Sequence, residues 1–131
     1  MDIYQATQAL LSGAAGDGVN TVYLGLEYDA LKEQWELPTA PAVTWLYDEL
    51  TPQMTADGPS GLYTARLSID IWAPLETADR VNRAIAEAIA GKPRTLEGVT
   101  FTLVPETAQD VAEVNLPTKH IYIKYKGIIR A

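Results

Sequence analysis

The residues of this chain whose types and spacing invite chemistry are few: His120, the acidic neighbours Asp48 and Glu49, a second acidic pair at Glu27 and Asp29, and the glycine-rich run from Gly13 to Gly18. None of them forms a catalytic constellation. One histidine in the whole chain excludes a multi-histidine metal site and leaves a single base for any Ser-His-Asp arrangement. His120 stands at a strand start beside Lys119, so an exposed strand histidine is expected. The acidic pairs lack the glycine-centred frame of oxygen ligands that a calcium loop requires. No neighbour assigns either pair the raised pKa of a glycosidase acid, so solvated loop acids are expected. Gly13-Ala14-Ala15-Gly16-Asp17-Gly18 resembles a phosphate loop only superficially. It lacks the lysine and Ser/Thr that would follow, and it sits after a helix and before a strand, the reverse of the required order. It reads as a turn. Cysteine is absent, which removes disulfides and thiolate metal sites. The expectation is therefore no catalytic residue, no cofactor and no metal.

A basic, partly aromatic set remains: Arg66, His120, Tyr122, Lys124 and Lys126. Such a sheet face can bind RNA, but the aromatic ladder is thin and the 131-residue chain carries a net charge of −7. Tight nucleic-acid binding needs several phosphate-neutralising cations. The charge is unevenly spread. Residues 1–60 hold nine acids and only Lys32 as a base, whereas residues 61–131 hold nine bases and eight acids. Two readings stay open: acidic loops that maintain solubility, and an acidic region of one copy meeting a basic region of the next. Lys124 and Lys126 are expected to guard a sheet edge against uncontrolled pairing, and, at an edge, to direct it toward an acidic neighbour. Trp72 falls on the wet side of its strand and reads either as a contact anchor or as a packing residue; Trp35 and Trp45 read as packing residues.

The elements that position these groups follow from periodicity. Asp2 with Gln5 has capping-box spacing, and Ile3, Ala6, Leu10 and Leu11 share one helical face. Thr21 to Leu24 is a short strand. Residues 25–41 are irregular, with a helical turn possible over Tyr28 to Trp35. Ala42 to Glu49 alternates as a strand, and Leu50 to Gly61 reads as a long turn-rich connector between antiparallel strands. Tyr63 to Ile71 alternates strictly, with odd positions apolar and even positions polar, which marks one buried and one wet face. A helix over about 75–90 buries Ala78, Val81, Ile85, Ala88 and Ile89. Asp79, Arg83 and Glu87 lie four apart on its outer side and are expected to form two ion pairs. Leu96 to Val104 is a strand, Pro105 to Thr118 a second long polar connector, and His120 to Ile129 the last strand. The order α-β-β-β-α-β-β describes one α+β domain spanning residues 1–131. It has two layers, a mainly antiparallel or mixed sheet of about five strands with both helices on one face. The chain shows no stretch long and apolar enough to span a membrane and no signal-peptide pattern at Met1-Asp2-Ile3-Tyr4, so a soluble, intracellularly made protein without membrane contact is expected.

This layout resembles the tail terminator, or tail completion, proteins of long-tailed bacteriophages. The resemblance rests on the N-terminal helix, the Val22-Tyr23 strand, the Pro41-Ala42-Val43-Thr44-Trp45 strand, the polar glycine-containing connector, and the long strand ending Ser68-Ile69-Asp70-Ile71-Trp72-Ala73. That strand passes directly into the helix beginning near Thr77. The likeness is one of element pattern over nearly the whole chain rather than of a residue fingerprint. It implies a non-enzymatic structural protein that assembles into a ring, commonly a hexamer, on the end of a tail tube. Such a ring stops tube growth and offers the docking surface for the head, so the implied partners are other copies of itself, the tail-tube protein and a head–tail connector. DNA would pass through without specific binding, and the implied location is the virion tail, with the host cytoplasm during assembly. From position in loops and edges, the contact candidates are Asp48, Glu49, Met54, Asp57, Arg66, Trp72, Tyr122, Lys124 and Lys126. Replacing Lys124 and Lys126 together by Glu is expected to impair assembly but not folding. Other readings are a different neck, head–tail connector or tail-tube component, and a small ligand-binding α+β domain, which would need a deep apolar pocket with convergent polar groups.

Overall fold

The computed structural model describes residues 2–24, 41–111 and 118–131. Two helices, α1 (Ile3–Ala15) and α2 (Leu75–Ile89), accompany six strands: β1 (Asn20–Tyr23), β2 (Ala42–Thr55), β3 (Gly58–Pro74), β4 (Arg94–Leu96), β5 (Val99–Val111) and β6 (Thr118–Arg130). The strands form one sheet in the order β1-β2-β3-β6-β5-β4. β1 pairs with β2 in parallel; the other pairings between these six strands are antiparallel. No helix among the described residues is long and apolar enough to cross a membrane.

The capping box forms as its spacing implies. Gln5 N–H donates to Asp2 Oδ1 at 2.7 Å, and Asp2 N–H to Gln5 Oε1 at 3.0 Å. These bonds satisfy two otherwise orphaned donors at the helix start. Gly16, at φ +86°, ends α1 where other residues would be strained. Ile3, Ala6, Leu11 and Ala15 face the sheet from α1, and Ala78, Val81, Ile85 and Ile89 from α2. They meet the inward residues Trp45, Ala65, Leu67, Ile69, Ile71, Phe101, Leu103, Ile121, Ile123 and Tyr125. Each large side chain so buried contributes roughly 1.5–3 kcal/mol. Both helices therefore lie on one face, and the other face carries the even-numbered residues of β3 and β6.

The structure has six strands where about five are expected. The additional one, β4, arises because Glu97 and Gly98 both take positive φ, +49° and +84°, between the paired residues Leu96 and Val99. That is the signature of a two-residue hairpin with primed-turn geometry. The connector expected over Leu50 to Gly61 is instead strand. β2 and β3 stay paired to Thr55 and Gly58, across a turn at Ala56-Asp57 closed by Gly58 at φ +116°. Polar residues conceal it because neither face of this arm is covered. Likewise β5 runs past Pro105 to Val111, taking in the first half of the second expected connector. The rest of that connector, residues 112–117, and the readings placed on residues 25–40, including Glu27, Asp29 and Trp35, lie outside the described residues.

The last strand is not at an edge. β6 is central, between β3 and β5, so Lys124 and Lys126 guard no edge. The long outer flanks belong to β2 beyond Trp45 and to β5 beyond Leu103, which β1 and β4 leave unpaired among the described residues. Each flank holds a proline (Pro52, Pro105) and a register shift (Pro52/Met54, Pro105/Thr107). Proline removes a ladder donor, and a bulge bends the edge. The ion pairs expected along α2 also differ: Asp79 pairs with Lys119 Nζ at 2.9 Å, and Arg83 has no ion pair among the described residues.

Candidate functional site

Antiparallel pairing places directly opposed residues on the same face. Glu49 opposes Arg66, and Arg66 in turn opposes Lys126; Ser68 opposes Lys124, Asp70 opposes Tyr122, and Trp72 opposes His120. The helix-free face is thereby a polar array spanning four strands. Of the nine contact candidates, Glu49, Arg66, Trp72, Tyr122, Lys124 and Lys126 stand on it. Asp48, the extra residue of the bulge between Tyr47 and Glu49, turns its carboxylate into it. Met54 and Asp57 are elsewhere, on the exposed arm.

Three clusters make up the array. At one end, Arg66 lies between Glu49 (3.7 Å) and Glu106 (3.8 Å), tying β2 to β5 across β3 and β6. These are half-exposed pairs, and such pairs contribute about 0–1 kcal/mol. In the middle, Ser68 Oγ–H donates to Asp48 Oδ2, Ser68 Oγ lies 3.2 Å from the Tyr122 hydroxyl, and Lys124 Nζ stands 3.4 Å from Asp48 Oδ2. The Asp48 carboxylate, with Tyr122 beside it, raises the Lys124 ammonium pKa above its usual value. At the other end, His120 Nε2 lies 2.6 Å from Asp70 Oδ1, and the imidazole stacks on Trp72 with ring centroids 3.6 Å apart and planes 16° from parallel. His120 is buried, not exposed as its position suggested, because Trp72 covers one ring face and Asp70 reaches it diagonally. Trp72 is half-buried and packs on this histidine. Its indole N–H has no hydrogen-bond partner among the described residues.

Asp70, Ser68 and Glu106 are members of the array that the candidate set omits. Asp70 and Ser68 were legible as wet-face partners of Arg66 at two-residue spacing. Glu106 was not, since it fell in an expected connector. His120 is engaged with Asp70 and Trp72, while Ser68 is four residues away along β3 from Trp72, the residue that opposes His120. No group of three or more metal-ligating side chains converges among the described residues.

A second feature lies on the other face, beside α1 and β1. Tyr4, Tyr23, Trp45 and Tyr47 pack edge-on and tilted, with centroids 4.6–5.8 Å apart. An apolar groove of about 620 Å³ runs along Tyr4, Gln8, Thr21, Tyr23 and Trp45. The Thr21 hydroxyl is buried there without a hydrogen-bond partner among the described residues, while two other polar side chains of the groove bond to the protein itself: Trp45 Nε1–H donates to Gln8 Oε1 at 2.7 Å, and Gln8 Nε2 donates to the Thr21 carbonyl at 2.9 Å. They serve to fasten α1 to β1 and β2.

Neither a family model nor a curated protein matches the chain. A solved structure does. A chain from the virion of the native gene transfer agent (GTA) particle superimposes on 98% of this chain and 91% of that one, with a TM-score of 0.56. The two share a fold. At 16% sequence identity the likeness extends to the arrangement of elements and not to particular side chains.

Proposed function

We propose that this protein is a structural, non-enzymatic component of a phage-like particle, and specifically the ring that caps a tail tube. In that role copies of the chain associate on the tube end, stop its growth, and present the surface on which a head–tail connector docks. The observation that carries the reading is the shared fold with a chain of the gene transfer agent virion over nearly the full length of both. The array on the helix-free face and the protruding β2–β3 arm add surfaces suited to contact. Partners on this reading are other copies of the chain, the tail-tube protein and the connector, and the place of action is the virion tail after assembly in the host cytoplasm. DNA passes without specific contact, in keeping with the overall negative charge.

Negative-stain electron microscopy of the purified protein, alone and mixed with tail tubes, tests this. Discrete rings, and tubes capped at one end, are expected. Long stacks formed by the protein alone would identify a tube component instead, and binding to the head-side connector without tube capping would place it elsewhere in the neck.

A further inference from the structure

The β2–β3 arm leaves the sheet. β6 ends at Arg130, opposite Leu62, and Ala131 N–H donates to the Gly61 carbonyl at 2.9 Å, so from Ser60 back to Gln53 the two strands of the arm have only each other as ladder partners among the described residues. Asp57 at the turn lies about 15 Å beyond Leu62 at the normal strand rise. Met54 is 66% exposed, the most exposed large apolar residue among the described residues, and Asp57 is exposed. A two-stranded ribbon with an apolar side chain and an acid near its tip offers a contact surface that a purely solvated loop does not need.

At the same end of the sheet, on the helix-free face, a groove of about 380 Å³ is lined by Leu62, Pro93, Thr100, Thr102, Ile128 and Arg130. Ile128 is exposed. Arg130 stands on the groove wall, and Lys92 and Arg94 flank Pro93. Asp57, Lys92 and Arg130 enter no ion pair among the described residues. The arm's own ladder directs its tip away from this groove, so the two surfaces of one copy do not meet each other.

We infer that the arm tip of one copy seats in this groove of the next, with Met54 against Leu62 and Ile128 and the Asp57 carboxylate against Arg130. The contact joins two different surfaces, so it is heterologous and propagates head to tail, closing into a ring when the rotation allows. It pairs one acid of the acidic first half, Asp57, with one base of the second half, Arg130. The inference rests on the self-assembling reading above and specifies its interface.

Charge exchange tests it. Asp57→Arg and Arg130→Asp are each expected to weaken self-association about tenfold or more in analytical ultracentrifugation, with unchanged circular dichroism. An equimolar mixture of the two variants is expected to reassemble, because every arm then meets a groove of opposite charge. The chain has no cysteine, so Met54→Cys mixed with Ile128→Cys should give a disulfide heterodimer under mild oxidation that neither variant gives with itself. Assembly of wild type, alone or on tubes, that both charge variants leave intact would overturn this interface while leaving the ring reading in place. Loss of tube capping with unchanged self-association would assign the groove or arm to the tube protein and likewise overturn it. Wild type that stays monomeric alone and on tubes would reject both.

Discussion

The Tyr47 hydroxyl donates to Thr7 Oγ1 at 2.6 Å, because the single Thr7 hydroxyl proton is already given to the Ile3 carbonyl at 2.7 Å. This chain of bonds fastens the first turns of α1 to β2. Tyr47→Phe is expected to lower stability by about 0.5–1.5 kcal/mol, the net value of one such bond, with the α1 amides losing most protection in hydrogen exchange. Equal protection in both proteins would show that the bond does not hold the helix.

Burial pushes the Tyr125 phenol up to about 12, and burial likewise raises Tyr47 well above its ordinary value. In each case the unfolded chain releases its proton first, near pH 10. Below that pH neither group affects stability; above it the folded state binds more protons, so stability falls as pH rises. For Tyr125 alone the loss between pH 10 and 12 is on the order of 2–3 kcal/mol. Denaturant melts at pH 9, 10, 11 and 12 are expected to show this decline, and Tyr125→Phe to shallow it.

Gly127 is at φ +156°, and a Cβ built there would lie 2.1 Å from the Thr102 carbonyl oxygen. The obstacle is backbone on the neighbouring strand, which cannot rotate away. Gly127→Ala is expected to cost about 2–4 kcal/mol and to appear as a lowered Tm. An unchanged Tm would mean that β5 and β6 separate here at no cost.

How much of this was legible in the sequence depends on whether one face of an element is buried. Tyr63 to Ile71 and the α2 stripe could be read because the odd positions of β3 and Ala78, Val81, Ile85 and Ile89 meet a core. The arm from Pro52 to Gly61 has no covered face, so its alternation carries no apolar signal, and its prolines and glycines imitate a loop. Strand order was also hidden. Nothing in His120 to Ile129 distinguishes a central strand whose outer face is polar from an edge strand; the neighbours Arg66, Ser68 and Asp70 supply the difference by opposing Lys126, Lys124 and Tyr122. The acids and lysines of the array were recognised by type, yet their pairing required the register.

Glu97 occupies left-handed backbone, φ +49°, in the two-residue turn before Gly98. Left-handed backbone crowds a Cβ against the following carbonyl oxygen; Gly avoids this, and Asn offsets it through local hydrogen bonds of its short side chain, which Glu cannot make as readily. Glu97→Asn is therefore expected to stabilise by a few tenths to about 1 kcal/mol, measured as a raised denaturation midpoint with an unchanged slope.

Lys124 and Lys126 differ in a way their two-residue spacing conceals. Lys124 lies against Asp48, whose carboxylate also accepts from Ser68, whereas Lys126 is exposed and has no ion pair among the described residues. Replacing both by Glu therefore mixes two effects, since an acid at position 124 would face Asp48 across the sheet and strain folding itself. Taken singly, Lys124→Met is expected to lower Tm and to restore the Asp48 carboxyl to a weaker hydrogen-bond setting. Lys126→Met is expected to leave Tm unchanged. If Lys126→Met also leaves ring formation intact while Arg130→Asp abolishes it, the cations used between copies lie at the end of β6 beside the groove and not along its middle. A Tm that falls equally for both single variants would instead show that Lys126 belongs to the same structural array as Lys124.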